Sequence, residues 1–164
     1  MINPYKIPTP ALVSFSGGRT SGFMLWNILN AYDGKLPEDI HVVFANTGKE
    51  APETLTYETA ARNGEPFEEL LDHRKYLPNP VTRFCTSELK IKVMYRFMRK
   101  NKGYKDWYNV IGLRYDEPRR VASALKQYNT WTNITPMNDA RHTVKDVTNY
   151  WNKQNFDLNL TNAY

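Results

Sequence analysis

The 164-residue chain has one cysteine, Cys85, and so can form no internal disulfide. A four-thiolate iron–sulfur cluster within one chain is excluded by the same count. Its three histidines, His41, His73 and His142, are scattered and show no metal-ligand spacing, so no metal site is expected from them. If one of them acts as a general base, His73 is the candidate, because it lies in the loop leading to Cys85. No apolar run approaches the ~18 residues of a membrane span. The opening "MINPYKIPTP" lacks the apolar core of a signal peptide. These absences point to a cytoplasmic protein without a membrane partner. Internal repeats, low-complexity tracts and convincing linkers are also missing. With 41% hydrophobic residues, the length suits one domain over 1–164.

What is present begins with charge. A net charge of +5 favours anionic partners, nucleotides or nucleic acid, over cationic ones. The 11 tyrosines, 7 phenylalanines and 4 tryptophans suit core packing, and they would equally serve a stacking face for single strands.

Short runs rich in Val, Ile and aromatic residues predict strands at Ala11 to Phe15, His41 to Asn46, Tyr108 to Leu113 and, more weakly, Thr130 to Thr135. Helical spacing predicts helices over Ser21 to Tyr32, Thr86 to Lys102 and Thr143 to Gln154. Strands alternating with helices imply an α/β fold, a mainly parallel twisted sheet flanked by helices, with ligands beyond the carboxyl ends of the strands. Gly64 to Arg83 reads as a long loop around one short helix, Pro66 to Leu71.

At the first strand-to-helix passage the chain reads "SFSGGRTSG". Unpaired amides and the positive end of the helix dipole make such a place a natural phosphate seat. Gly17 and Gly18 let the backbone turn and approach a ligand; Ser16, Thr20 and Ser21 add hydroxyls, and Arg19 adds charge. A tight turn with a hydroxyl cap would use the same residues. Neither G-x-x-x-x-G-K-[ST] nor G-x-G-x-x-G occurs.

"SFSGGRTS" resembles the S-G-G-x-x-S pyrophosphate loop of the PP-loop superfamily. "VVFANTGKEAPET", "RNGEPF", "LPNPVTRFCTSELKIK" and "IGLRYDEPRR" follow in the order found in its phosphoadenosine phosphosulfate (PAPS) reductase-like, adenine nucleotide alpha-hydrolase-like branch. The resemblance implies a Rossmann-like fold. It also implies that Ser14, Ser16, Gly17, Gly18, Arg19, Thr20 and Ser21 wrap the phosphates or sulfate of ATP or PAPS. Asn46, Thr47 and Gly48 would line the adenosine, with Glu50 and Glu53 nearby. Arg83 and Lys90 would add to the pocket, and Gly112, Arg114, Arg119 and Arg120 would face the anion. Arg119 and Arg120 could instead form a solvated basic turn paired with Asp116 and Glu117.

Arg19, Cys85 and Arg114 are the candidates for chemistry. Cys85 precedes a predicted helix beside Arg83 and Lys90, a setting that lowers a thiol pKa; a small buried cysteine is the plainer reading. The helix after it carries Lys90, Lys92, Arg96, Arg99, Lys100 and Lys102, either a solvated face or a nucleic-acid face.

The sequence also departs from the pattern. Thr20 stands where many ATP-cleaving relatives have an aspartate that helps manage magnesium, although the resemblance leaves room for Mg2+. "PETLTYETAARNGEPF" joins two motifs that relatives separate by part of a helix and a strand, so the sheet is expected to lack a strand and a homo-oligomer to cover the gap. No cysteine follows Cys85, whereas PAPS reductases use a C-terminal one. The leading reading is therefore action at the α-phosphate or sulfo group of an adenine nucleotide. The alternatives are a non-catalytic nucleotide-binding module, or a subunit of a nucleic-acid-modifying complex in which a partner supplies the missing cysteines.

Overall fold

The stretch Ala11–Phe15 forms strand β1, with Ala11, Leu12 and Val13 buried. A computed structural model describes residues 3–44, 71–75, 86–126 and 130–156. The chain divides into two compact units, Met1–Phe44 with Tyr104–Tyr164, and Ala45–Gly103.

In the first unit β1 is flanked by β2 (Ile40–Phe44) and β3 (Tyr108–Val110), and β4 (Thr132–Ile134) extends the sheet beyond β3. All pairings are parallel and the order is β2-β1-β3-β4, as an α/β reading requires. Parallel neighbours need crossovers. Helix α1 (Arg19–Ala31) lies between β1 and β2 in the chain, and α3 (Pro118–Leu125) between β3 and β4. Two further helices follow, α4 (Pro136–Asp139) and α5 (Val144–Trp151).

Alternation along the strands sorts the two sheet faces. Ala11 and Val13, with their register partners Ile40 and Val110, join Phe23, Met24 and Ile28 of α1, Met137 of α4, and Val147 and Trp151 of α5 in one apolar core. The intervening positions on the other face are mixed. Leu12 is buried there, but its register partners are His41 and Asn109, and Asn133 follows beyond Asn109.

Helix α1 ends where Asp33 and Gly34 take positive φ of 53° and 82° and the Gly34 N–H donates to Leu29 O at 2.8 Å. Helix α5 opens on a capping box between Thr143 and Asp146, in which Asp146 Oδ2 accepts from the Thr143 N–H at 2.7 Å and its hydroxyl at 2.8 Å. The Thr143 N–H, then its hydroxyl, hold the Asp146 carboxyl below the ordinary aspartate range. Asp146→Ala should lower stability by about 1 kcal/mol near neutral pH. Because the folded pKa is depressed, this contribution is complete above the unfolded value of about 4 and fades as pH falls through the folded value. Denaturant midpoints of the two proteins should therefore converge in acid.

Several elements differ from the sequence-based expectation. β3 stops at Val110, not Leu113: Ile111 N–H still donates to Ile134 O at 3.0 Å, but the Leu113 N–H turns back to Ile111 O at 2.9 Å, a three-residue turn that ends the ladder. α3 arises from "PRRVASAL", where no helix is expected from the sequence and Arg119 and Arg120 are expected to face the anion or, alternatively, to form a solvated basic turn; Pro118 occupies the first turn, where its missing N–H costs nothing. In the second unit the helix expected over Thr86 to Lys102 is present as one run with π-type turns at Thr86–Ile91, an α-helical segment α2 (Lys92–Arg96), and π-type turns at Phe97–Asn101. Glu88 there pairs with Arg74, which is in a helical stretch over 71–74, and with Lys92 at 2.8 Å. The Lys92 hydrogen bond leads in holding the Glu88 carboxyl below its ordinary range. Among the described residues no helix is long and apolar enough to cross a membrane.

Candidate functional site

The order β2-β1-β3-β4 puts a reversal at β1: the chain leaves β1 for one neighbour, and the other is reached later through β3. In open parallel sheets the crevice at such a reversal, beyond the carboxyl ends, is where ligands bind. Two connections leave the strands there, Ser16–Gly18 after β1 and Ile111–Glu117 after β3.

In the first connection, Gly17 has φ of 77°, a left-handed conformation that glycine adopts without penalty. Gly18 is extended, and a Cβ there would meet Ser16 Oγ at an ordinary 3.7 Å, so sterics alone do not demand its glycine. Ser21 is buried and braces the turn from within. Its hydroxyl donates to Gly18 O at 2.9 Å, accepts the Ser16 N–H at 3.3 Å and lies 3.0 Å from Ser16 Oγ. Gly18 gives α1 no side-chain cap, and the first turn contains no acid. The positive end of a 13-residue helix is therefore offset by neither of the usual devices.

Helix α5 supports this turn from behind. The Trp151 indole N–H donates to Arg19 O at 2.9 Å, and a Cβ on Gly22 would sit 2.9 Å from Trp151 Cζ2. The third glycine of "SGGRTSG" thus serves close packing of α1 on Trp151.

The second connection delivers Arg114. Its side chain is only 14% exposed; Nη1 donates to Thr20 Oγ1 at 3.2 Å and Nε to Asp116 Oδ1 at 2.9 Å, while Glu117 Oε2 lies 3.4 Å from Nη1. Glu117 Oε2 also accepts the Arg114 backbone N–H at 3.1 Å. Asp116 Oδ2 accepts the Val144 N–H at 3.1 Å, tying this connection to the start of α5. Burial pushes the Asp116 carboxyl up, but the Val144 N–H and the Arg114 guanidinium together outweigh it and hold the group below its usual range. Gly112 lies beside the start of α1: a Cβ there would stand 3.7 Å from both the Ser21 Cα and the Met24 side chain, an ordinary contact, so sterics alone do not demand glycine here either.

Ser14 Oγ donates to Asn109 Oδ1 at 3.2 Å, Asn109 Nδ2 to Asn133 Oδ1 at 2.9 Å, and Asn133 Nδ2 to Ala124 O at 2.8 Å. The Trp131 indole N–H adds a second donor to Asn133 Oδ1 at 3.1 Å. This polar row runs across three strands to the last turn of α3.

Of the sequence-derived candidates, Ser14, Ser16, Gly17, Gly18, Arg19, Thr20, Ser21, Gly112 and Arg114 gather around these two connections. Arg119 and Arg120 lie exposed on α3, with Arg120 ion-paired to Glu117. Lys90 belongs to the second unit, in its first π-type turns. His73 is exposed at the helical stretch 71–74. Asn46, Thr47, Gly48, Glu50, Glu53, Arg83 and Cys85 lie outside the described residues. Asn109 and Asn133 have no role in the sequence-based expectations, and Trp151 only that of an apolar position on the helix over Thr143 to Gln154. The asparagines carried a usable signal, since asparagine is depleted in strands and both sit in the middle of one. Among the described residues no group of three or more His, Cys, Asp and Glu side chains could hold a metal ion.

No family model matches the chain. It is 27% identical over 187 aligned positions to an uncharacterized nin region protein of Escherichia phage lambda, covering 91% of this chain and 61% of the relative. It is 32% identical over 139 positions to an uncharacterized protein of Methanocaldococcus jannaschii, covering 77% of this chain and 27% of the relative. The chain thus spans 61% of the length of the first curated relative and 27% of the second.

Proposed function

We propose that the chain is a cytoplasmic PAPS reductase-like member of the PP-loop group that binds ATP or PAPS, with the phosphates or sulfate at the start of α1. The observation that carries the reading is the uncapped, acid-free start of α1 at the sheet reversal, with the Arg114 guanidinium bridged to it through Thr20. Backbone amides at a helix start and a planar guanidinium both recognise phosphate oxygens. If a reaction follows binding, it acts at the α-phosphate or sulfo group, and the same donors would stabilise charge on the departing pyrophosphate or sulfite. Magnesium would find no ready-made cluster of acidic side chains among the described residues.

A second reading, binding without turnover, draws support from Thr20. Its hydroxyl is occupied by Arg114, at the place where many ATP-cleaving members of the PP-loop superfamily that the sequence resembles carry an acid.

Calorimetric titration with ATP and with PAPS, followed by chromatography of each mixture, separates the readings. Saturable binding with new products supports the enzyme, and binding with intact nucleotide supports the module. The double variant Arg19→Gln, Ser21→Ala should abolish binding in both cases. Unchanged affinity in that variant would reduce "SGGRTS" to a structural turn.

A further inference from the structure

Positive charge is concentrated in one helical run of the second unit. Six of the chain's 22 lysines and arginines fall between Leu89 and Lys102, and none of its 17 acids does. Without this segment a chain of net charge +5 would carry −1. Lys92, Arg96, Arg99, Lys100 and Lys102 are all exposed. Lys92, Arg96 and Lys100 follow at four-residue spacing, where like charges destabilise a helix by roughly 0.2–0.5 kcal/mol per pair.

Two ordinary explanations cover only part of the row. The dipole welcomes Arg99 and Lys100 in the last turn, and Glu88 pairs with Lys92. Neither accounts for Arg96, nor for the complete exclusion of acids over the segment.

From this charge segregation we infer that the exposed row Lys92–Arg96–Arg99–Lys100–Lys102 is a docking surface for the phosphodiester backbone of a nucleic-acid duplex. At about 1.5 Å per residue, Lys92 to Lys100 spans roughly 12 Å. A duplex presents about one phosphate per 1.7 Å of its axis, so the row meets a charge array at least as dense as itself. A lipid surface fits less well. An interfacial helix needs a broad apolar face, whereas the exposed large apolar residues of this run, Ile91 and Val93, lie near its start and the cations continue past them. The inference is independent of the nucleotide site.

The test is fluorescence anisotropy of the full chain with a labelled DNA duplex of about 20 bp between about 50 and 200 mM salt. Three or four phosphate contacts give a slope of log Kobs against log salt of about −2.7 to −3.6, a weakening of roughly 40- to 150-fold over that range. Arg96→Gln, Lys100→Gln, Lys102→Gln should flatten the slope by about 0.9 per lost contact. The equally charged control Lys35→Gln, Lys126→Gln, Lys145→Gln, also at exposed positions, should leave it nearly intact. If the triple variant loses its far-UV dichroism, the single variants Arg96→Gln and Lys100→Gln supply the same readout.

Equal losses in both triple variants would mean that bulk charge alone acts, and would overturn the assignment. So would absence of salt-dependent duplex binding. Binding to phosphatidylserine vesicles that the helix variant abolishes, with no duplex binding, would transfer the surface to membranes.

Discussion

Trp151→Ala should lower the unfolding free energy by about 3–5 kcal/mol, the range for removing a large buried aromatic. For a protein of this size each kcal/mol shifts Tm by about 2–4 °C, so the change should be plain in a thermal melt followed by circular dichroism. The ring is 8% exposed, packs edge-on against Tyr150 and Phe156, and fills the space that Gly22 leaves on α1. Its indole N–H also anchors the Arg19 carbonyl, so the loss is local to the proposed phosphate turn. Trp151→Phe separates the two contributions by keeping much of the apolar volume and deleting the donor. It should cost less than the alanine variant, yet still weaken nucleotide binding if the turn needs that anchor. A melt within 1 kcal/mol of the parent for Trp151→Ala would show that α5 does not brace α1.

Arg114→Gln should weaken ATP or PAPS binding by roughly 10- to 150-fold, since a charge-assisted hydrogen bond contributes about 1.5–3 kcal/mol. Arg114 comes from the second connection and reaches the first turn of α1 through its hydrogen bond to Thr20 Oγ1. Arg114→Lys is the informative companion. It keeps the charge but loses the planar fork, so it should recover only part of the affinity. The anion must compete with Asp116 and Glu117 for the guanidinium, and the two carboxylates set the orientation from which Arg114 reaches Thr20. Calorimetry showing the parent Kd in Arg114→Gln would remove Arg114 from the site.

The sheet was legible because β-branched and aromatic clusters at Ala11 to Phe15, Tyr108 to Val110 and around Ile134 stand out from their polar surroundings. The first turn was legible because glycine, hydroxyl and cationic residues concentrate between an alternating and a helical pattern. What escaped was long-range. Gly22 reads as part of the ligand turn in sequence, but its role is to admit Trp151, 129 positions later in the chain. Asp116 and Glu117 were weighed as partners for Arg119 and Arg120, whereas both also engage Arg114. Helix α3 was missed because its cations and Pro118 suggested a turn; the single buried residue Val121 leaves only a faint helical signature.

The row from Ser14 through Asn109 and Asn133 to Ala124 has a consequence for how the strands find one another. Side chains alternate between faces, so sliding β3 by one residue against its neighbours would carry Asn109 into the core that holds Met24 and Ile28, and would take Val110 out of it. The slipped sheet would bury an amide away from its present partners, a cost of about 1–3 kcal/mol, and would break the hydrogen bonds that Asn109 makes to Ser14 and Asn133. Apolar strands only three residues long could pair in several alignments with similar energy. The asparagines act as a key cut for one alignment, and that alignment brings Arg114 to Thr20 at the proposed phosphate turn.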